Sequence, residues 1–440
     1  MLGRIAASIL LVIGLILAAG SVVLGPWDHD GGAYLLRGAY AAEGLRPYIN
    51  YPSIYPPLVD ALTAPAVWLP VSRLNIAVVL PILWLIALAA ASFALGWAAQ
   101  RDLTAGLTLA ALSAIFTAAN RGNHLTLEFG VALFGCVAFA AAIEDRPVLA
   151  GLFAACATLS KQNGILVFVP LLFLMRPREY VRGLAGAALP IIAVLIWIRD
   201  IPAMWQACVA DLITYSRQPA PSPPISGEFV RSPETFLLLL IVVVATIVVR
   251  RPVVFAAFAC AVLEFLPRLV RNYPHYTINL WPFIALILAF ALTTRVRVAA
   301  LGTFTALALM HFYFHSKWQT SPLLTTFNNA AQRVAAVTPP NARVRQYGAE
   351  PIIEFLADRD EDVINKPVAA VFGARWDGSG VYTTPPSPDT TVVLIDRGQP
   401  WVRSVFADLQ SRGFANAGAF GRIWIFRSRP TAPAPPSARQ

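Results

Sequence analysis

The sequence is poor in charged residues. Asp, Glu, Lys and Arg make up 13% of its 440 residues, whereas soluble domains carry about 25%. Hydrophobic residues make up 57%, and the mean hydropathy is +0.62. A soluble protein of this composition would need helices that are buried on all sides along the whole chain. The shortage of charge therefore favours a membrane protein.

Cysteine is also scarce, and its spacing is uninformative. Cys136, Cys156 and Cys260 fall inside apolar runs and Cys208 stands alone, so no disulfide framework or cysteine metal site is predicted. The net charge of +10 comes mostly from Arg residues that are scattered over loops. A nucleic-acid-binding face would need them in one stripe, so we expect no nucleic-acid partner.

Apolar runs near the length of about 20 residues that a bilayer requires recur along the chain. They predict an all-α polytopic membrane domain over residues 1–315. The first run exceeds the roughly 7–15 residues of a signal-peptide core, so we interpret it as an uncleaved span. About eleven spans are predicted, at 5–24, 72–99, 103–119, 126–143, 148–160, 163–175, 184–198, 236–249, 253–267, 277–293 and 299–315.

The Arg residues of the short loops predict the orientation of the spans. With the N-terminus inside, every predicted cytoplasmic loop carries at least one Arg, and residues 27–71, 199–235 and the tail from 316 lie outside. The loop 199–235 contains the run PAPSPPISG, which predicts an extended cover. This cover could serve as a lid over a site or as a simple linker.

The composition changes after residue 315. Short β-rich runs alternate with helical runs over residues 316–428, which predicts a small extracytoplasmic α/β domain. Residues 429–440 are predicted to be a disordered tail. The domain has no Gly-rich phosphate loop, His-Glu-x-x-His motif or Cys pair, so it offers no recognised catalytic motif of its own.

The most informative stretch runs from Trp27 to Leu58 and reads WDHDGGAYLLRGAYAAEGLRPYINYPSIYPPL. Two acids, Asp28 and Asp30, flank a histidine where the chain leaves the first span. A helix is predicted over 33–44, with one small, apolar face. Gly44 ends this helix, and the prolines that follow hold the chain extended. An ordered acidic loop at a membrane interface is typical of the roof of an active site.

This stretch resembles the first extracytoplasmic loop of the membrane glycosyltransferases of the GT-C type. Those relatives include protein mannosyltransferases, aminoarabinose transferases and lipopolysaccharide core sugar transferases. The matching positions are Asp30, Tyr34, Gly44, Pro47, Tyr48 and Pro56-Pro57-Leu58. The sequence departs from the pattern at Gly31, where the family often has Glu, and at Tyr55, where many members have a phosphate-binding Lys.

Three further segments resemble the family. One matches at Ala150, Gly151, Leu159, Lys161 and Gly164. The outer loop at 120–124 has Asn123 or His124 where relatives often have an Asp. The last outer loop places Arg268 and Arg271, followed by His275 and Tyr276, before a Pro-containing span. Glu264, in the preceding span, is predicted to orient Arg268.

The resemblance implies a role for each of these residues. Asp30 would be the general base, unless it only caps the loop helix. Asp28 would assist it, or would bind a divalent cation (Mg²⁺ or Mn²⁺) together with His29. The implied donor phosphate-binding residues are Lys161, Arg268, Arg271, Arg121, His275 and Tyr55, and the implied substrate-binding residues are Tyr34, His124, Glu128 and Tyr276.

Several of these residues also have purely structural interpretations. Lys161 could extend along the membrane to the interface, and His275 with Tyr276 could be an interfacial anchor. Glu128 could pair with Arg121 or another outer Arg. For any single outer Arg, pairing with lipid headgroups or with Asp and Glu of the same loops is an equal alternative to a ligand. Cations on the outer side run against the positive-inside bias, so as a set they favour an anionic ligand. They are Arg46, Arg73, Arg121, Lys161, Arg231, Arg268 and Arg271.

The resemblance as a whole implies an inverting glycosyltransferase in the inner (plasma) membrane, surrounded by membrane lipids. It would move a sugar from a polyprenyl-phosphate donor to an extracytoplasmic glycan, glycolipid or protein of the cell envelope. A polyprenyl-phosphate mannosyltransferase of a related branch is the alternative that Arg121-Gly122-Asn123 favours. A lipid transporter or flippase and a non-enzymatic scaffold are alternatives of other classes. Neither the sugar nor the acceptor can be read from the sequence.

Overall fold

The computed structural model describes residues 2–24, 27, 29–119, 125–213, 242–270, 278–291, 324–347, 351–361, 390–396, 402–420 and 423–428. These residues form mainly α-helices, followed by one five-stranded sheet near the C-terminus. The predicted predominantly helical fold is confirmed. The predicted number of spans and the side of the membrane on which each loop lies stay predictions.

Most of the described helices of the first 300 residues overlap a predicted apolar run. Among the described residues, α1, α4 and α9 are long and apolar enough to cross a membrane, and further apolar helices are shorter. The helices are α1 (Leu2–Leu24), α2 (His29–Ala42), α3 (Leu58–Val67), α4 (Arg73–Gln100), α5 (Leu103–Ala119), α6 (Leu127–Ile143), α7 (Pro147–Ser160), α8 (Phe168–Leu171), α9 (Pro177–Ile198), α10 (Ile201–Trp205), α11 (242–249), α12 (Pro252–Val270) and α13 (Trp281–Ala291).

Three predicted segments differ from what the structure contains or describes. The span predicted at 163–175 is not one helix, because it begins as a 3-10 helix (Gln162–Val167) and continues as the short α8. In the loop predicted as an extended cover, α10 runs into a π-helix (Gln206–Asp211). The proline-rich part of that loop and the predicted span 299–315 lie outside the described residues.

The first loop contains the predicted helix and one that was not predicted. Helix α2 begins earlier than expected, at His29, and it ends at Ala42. Gly44 has a φ of +81°, which favours glycine, and the backbone N–H of Leu45 donates to the carbonyl of Tyr40 at 3.0 Å. This left-handed turn ends the helix as predicted. The additional helix, α3, starts directly after the Pro56-Pro57 pair.

Helices α2 and α3 are joined by a buried ion pair. Arg37 donates from Nε and Nη2 to Oδ2 of Asp60, at 3.1 and 2.8 Å, and the Tyr51 hydroxyl donates to the same oxygen at 3.1 Å. Asp60 is fully buried. Beside this pair the helices nearly touch, because a Cβ added to Gly38 would lie 2.5 Å from Cγ2 of Thr63. One face of α2 is therefore held firmly against α3.

The residues after 323 form a mixed sheet with helices, which we call the C-terminal unit. Strand β1 is parallel to β2 and β3, and β5 is antiparallel to β3 and β4, in the order β2-β1-β3-β5-β4. Strands and helices alternate here, and the predicted domain bounds of 316–428 and the extracytoplasmic location stay predictions. Its elements are α14 (Leu324–Val337), β1 (Arg343–Tyr347), α15 (Ile352–Ala357), β2 (Asp360–Glu361), β3 (Thr390–Asp396), α16 (Val402–Ser411), β4 (Phe414–Phe420) and β5 (Ile423–Ser428).

The C-terminal unit packs on the first loop through α15. Its apolar side chains, including Ile352 and Phe355, belong to the same buried cluster as Leu35 and Leu36 of α2. We call this contact between α2 and α15 the seam. A cavity of about 200 Å³ lies along it. The cavity is lined by Leu36, Ala39, Tyr40, Glu43, Arg73, Pro340, Glu354, Phe355, Asp358, Arg359 and Asp360.

We expect Asp60→Ala to destabilise the fold strongly, because it leaves the buried Arg37 guanidinium without its counter-ion. Breaking a buried pair from one side costs about 3–5 kcal/mol, whereas replacing both partners by apolar residues is often tolerated. The double variant Arg37→Met/Asp60→Leu should therefore unfold at a higher temperature in detergent than Asp60→Ala.

The control is Glu144→Ala, which breaks the solvent-exposed pair that Glu144 forms with Arg101. Exposed pairs contribute less than about 1 kcal/mol, so its melting temperature should stay near that of the wild type. Equal melting temperatures for Asp60→Ala and Glu144→Ala would contradict a structural role for the Arg37–Asp60 pair.

Candidate active site

A buried ion pair between Lys161 and Glu128 lies at the centre of the candidate site. The backbone leaves the helical conformation at Lys161, directly after α7, with φ −154° and ψ 145°. The Lys161 ammonium pairs with Oε1 of Glu128, which lies in the first turn of α6. The side chains are 12% and 2% exposed. Glu128 is thus paired with Lys161, and a pair between Glu128 and Arg121, which lies outside the described residues, stays a prediction.

Aromatic rings of the first loop surround the Lys161 ammonium. Its Nζ lies 5.6 Å from the centroid of the Tyr55 ring, within the range of a cation–π interaction. The Tyr34 ring meets the Tyr55 ring edge-on, with 6.5 Å between centroids. The family pattern has Lys at the position of Tyr55. In this chain the ammonium group of Lys161 lies next to the Tyr55 ring instead.

The Asp30 carboxylate belongs to the same group of side chains. It interacts electrostatically with both Tyr34 and Lys161. Burial raises the pKa of the Tyr34 hydroxyl well above its usual value, and the Asp30 charge raises it further. Tyr34 therefore stays protonated at neutral pH and can act as a hydrogen-bond donor. We call Asp30, Tyr34, Tyr55, Glu128 and Lys161 the Lys161 cluster.

The position of Asp30 in α2 leaves its capping role a prediction. Asp30 is the second residue of α2 and lies in the first helical turn, where a carboxylate interacts favourably with the positive end of the helix dipole.

A second buried polar group joins three elements next to Lys161. Oε2 of Glu264, in α12, accepts from Asn163 Nδ2 at 2.6 Å and from Asn279 Nδ2 at 2.5 Å. Glu264 is 1% exposed and interacts electrostatically with Lys161 and Glu128. The prediction that it orients Arg268 stays a prediction, because the Arg268 side chain lies outside the described part of the chain.

The extended part of the first loop is held by contacts with two other elements. The Gln162 side chain donates to the carbonyls of Ile54 and, at 3.2 Å, of Cys208. The Tyr48 hydroxyl donates to the Tyr55 carbonyl at 2.7 Å and lies 3.3 Å from Sγ of Cys208. These bonds fix the backbone on both sides of Tyr55, and they fix the ring against Lys161.

The outer cations do not all serve the same purpose. Arg73 donates from Nη2 to Oδ1 of Asp358 at 2.6 Å, and its guanidinium carbon lies 5.2 Å from the centroid of the Phe355 ring. It therefore binds the C-terminal unit. For Arg73 the structure therefore shows pairing with a carboxylate of the chain itself, and an anionic ligand for the set as a whole stays a prediction.

The remaining predicted site residues lie outside the described part of the chain, and their roles stay predictions. Within the described ranges there is no group of three or more His, Cys, Asp or Glu side chains that could hold a metal ion. The Asp28–His29 cation site belongs to the parts that the structure does not describe. The predicted site residues that fall there are Asp28, Arg121, His124, Arg271, His275 and Tyr276, and the side chains of His29 and Arg268.

Sequence reasoning missed Gln162, Asn163 and Asn279 as contributors to the site. The run Lys161-Gln162-Asn163-Gly164 does carry a signal, since four non-apolar residues interrupt a long apolar segment. Amides at such depth need hydrogen-bond partners. The sequence does not show which distant carboxylate or carbonyl provides them.

The fold of the whole chain is similar to that of known proteins. No protein-family model and no curated protein matches the sequence. Among solved structures, ArnT from Cupriavidus metallidurans bound to undecaprenyl phosphate has a TM-score of 0.61 at 12% identity, over 96% of this chain and 99% of that one. The apo form of ArnT gives 0.57 at 13% identity, over 96% and 98% of the two chains.

A second type of solved structure is also similar. The oligosaccharyltransferase from Archaeoglobus fulgidus, tethered with an acceptor peptide, has a TM-score of 0.56 at 13% identity, over 96% of this chain and 74% of that one. ArnT and this oligosaccharyltransferase are glycosyltransferases of the GT-C type. At these identities the likeness is one of fold. The fold that the sequence motifs predicted is confirmed.

We expect Glu264→Leu to lower the melting temperature in detergent more than Glu264→Gln. The leucine leaves the amides of Asn163 and Asn279 without their acceptor, at a cost of about 1–3 kcal/mol for each buried group. The glutamine keeps one acceptor oxygen and the shape of the side chain. If the two variants melt at the same temperature, the carboxylate does not hold these elements together.

Proposed function

We propose that this chain, which has the fold of the GT-C glycosyltransferases, is an integral membrane glycosyltransferase. It takes a sugar from a polyprenyl-phosphate donor and transfers it to an extracytoplasmic acceptor. The observation that carries the proposal is the Lys161 cluster, where a carboxylate and a buried ammonium from distant parts of the chain come together. The fold shared with ArnT, which was crystallised with undecaprenyl phosphate, supports a lipid phosphate as the donor.

Sugar transfer from a lipid phosphate needs a base, a cation and a site that excludes water. Asp30 accepts the proton of the acceptor hydroxyl. The hydroxyl oxygen then forms a bond to the anomeric carbon while the bond from that carbon to the phosphate oxygen breaks. The phosphate leaves with the electron pair, and Lys161 stabilises its charge. A single displacement of this kind inverts the anomeric configuration.

The Glu128 carboxylate holds the Lys161 ammonium until the donor arrives. An unpaired ammonium is expensive at this depth, and Glu128 compensates its charge. A donor phosphate carries negative charge as well, so it competes with Glu128 for the same cation. Tyr55 and Tyr34 form the aromatic walls of the site, and the protonated Tyr34 hydroxyl is a donor for a sugar or phosphate oxygen.

The outer residues that lie beyond the described ranges complete the proposal. Arg268, Arg271, Arg121 and His275 would contribute further positive charge around the phosphate, as the sequence pattern implies. We place the site on the outer face of the inner membrane, where a glycan, glycolipid or protein of the cell envelope can reach it. The similar oligosaccharyltransferase, which is tethered with an acceptor peptide, supports an acceptor site in this fold.

Asp30→Asn is expected to abolish transfer without abolishing donor binding. Asparagine has nearly the same shape and is well tolerated near helix N-termini, but it does not accept a proton, and loss of a general base costs about 10²–10⁴-fold in rate. The measurement is mass spectrometry of envelope glycolipids and glycoproteins from cells that lack the gene and carry each variant.

The matched control is Asp102→Asn, because Asp102 accepts from Thr104 N and Ala105 N at the start of α5. This variant should restore the sugar that the deletion strain lacks, whereas Asp30→Asn should not. Full restoration by Asp30→Asn would exclude Asp30 as the base. A deletion strain with no missing sugar on any envelope glycan would refute the proposed transferase activity altogether.

Lys161→Met should weaken binding of undecaprenyl phosphate at least tenfold. The variant keeps much of the apolar stem but removes the charge that faces the phosphate. Lys161→Arg keeps the charge and should lose less. Binding is measured with the purified protein in lipid nanodiscs, with undecaprenyl phosphate as the probe. Unchanged affinity in Lys161→Met would show that other cations hold the phosphate.

A further inference from the structure

We propose that Ile352 and Gly32 are positioning residues of the transferase, through which the C-terminal unit holds the helix that carries Asp30. The inference rests on the proposed function, because it assigns to the seam the task of placing the general base. The C-terminal unit then becomes a structural part of the active site.

The first observation is the closeness of the backbones at Gly32. A Cβ added to this glycine would lie 2.9 Å from both the Cα and the Cβ of Ile352, and still closer to the Ile352 backbone nitrogen. Real Cβ contacts are never this short with a backbone that cannot move aside. Ile352 is fully buried, so α15 sits directly on the first turn of α2.

The second observation is the position of this contact along α2. Gly32 is two residues after Asp30, within the same helical turn, and a rigid helix transmits a shift of one residue to its neighbours. Helix α2 also packs against α3, through Gly38 and the Arg37–Asp60 pair. Helix α2 is therefore held between α3 and α15, and neither support by itself determines where its first turn lies.

The third observation is a polar anchor at the other end of the seam. Arg73, the first residue of α4, binds Asp358 at the end of α15 and packs on the Phe355 ring. This bond joins the C-terminal unit to a helix that is long enough to span a membrane. The anchor keeps α15 in register with α2, so that Ile352 meets Gly32.

The test compares Gly32→Ala with Gly20→Ala. Gly20 is also a helical glycine, but a Cβ added there has nothing within 4 Å. Each variant is measured in three ways: restoration of the missing envelope sugar, affinity for undecaprenyl phosphate in nanodiscs, and hydrogen exchange of the peptide that covers residues 29–42. Sugar restoration reports transfer. The affinity for undecaprenyl phosphate reports whether Lys161 still binds the phosphate, and hydrogen exchange reports how well α2 is ordered.

We expect Gly32→Ala to lower transfer at least tenfold and to speed hydrogen exchange in α2, while its affinity for undecaprenyl phosphate stays within twofold of the wild type. Gly20→Ala should match the wild type in all three. A loss of transfer with unchanged affinity indicates that the base is misplaced, because general destabilisation would lower both. Wild-type transfer and exchange in Gly32→Ala would overturn the inference.

A charge reversal covers the case in which Gly32→Ala fails to fold. Asp358→Arg places two guanidinium groups face to face and should lower transfer, and adding Arg73→Asp should restore it. A double variant no better than Asp358→Arg overturns the inference. If the wild-type protein itself transfers no sugar, the proposed function fails, whereas the effect of Gly32→Ala on hydrogen exchange still tests the contact.

Discussion

The pairing of a buried ammonium with a buried carboxylate is the interaction on which the candidate site depends. Lys161 and Glu128 lie on different helices, and both side chains are largely removed from solvent. Such a pair adds little to stability, because the cost of desolvation offsets most of the attraction. In the proposed function its value is chemical, since the pair keeps a cation in an apolar surrounding, where the attraction between the cation and an anionic phosphate is strong.

The rest of the fold brings a carboxylate to that cation and holds it there. Helix α2 carries Asp30 in its first turn, and it is rigid because both of its sides are packed. The bonds from Gln162 and Tyr48 fix the chain on either side of Tyr55, so the ring stays beside Lys161. Preorganisation of this kind lowers the barrier of a reaction, because the groups need not reorganise when charge develops.

Two glycines of α2 allow other elements to approach this helix closely. Gly38 allows α3 to come near, and Gly32 allows α15 to come near. These two glycines are therefore packing positions for two different elements. The C-terminal unit contains no recognised catalytic motif, yet its contact with Gly32 gives it a direct connection to the site.

The amino-acid sequence by itself determined the class of the protein and the outline of its site. Run length and the shortage of charge indicate membrane helices, because a bilayer demands long apolar segments. The spacing of Asp30, Tyr34, Gly44 and the prolines predicts a helix and turn in the first loop, because these signals act over a few residues. The choice of Asp30, Tyr34, Tyr55 and Lys161 as site candidates came from the resemblance to the family's motifs, and Glu128 was chosen as an ionisable residue at the start of a predicted span.

Only the tertiary structure decided which of these residues meet and through which partners. No local signal shows that Lys161 pairs with Glu128, that Glu264 accepts from Asn163 and Asn279, or that Arg73 binds Asp358. These contacts join positions far apart in the chain, and they depend on how the helices pack. Packing is a property of whole surfaces, and a sequence read in short windows does not contain it.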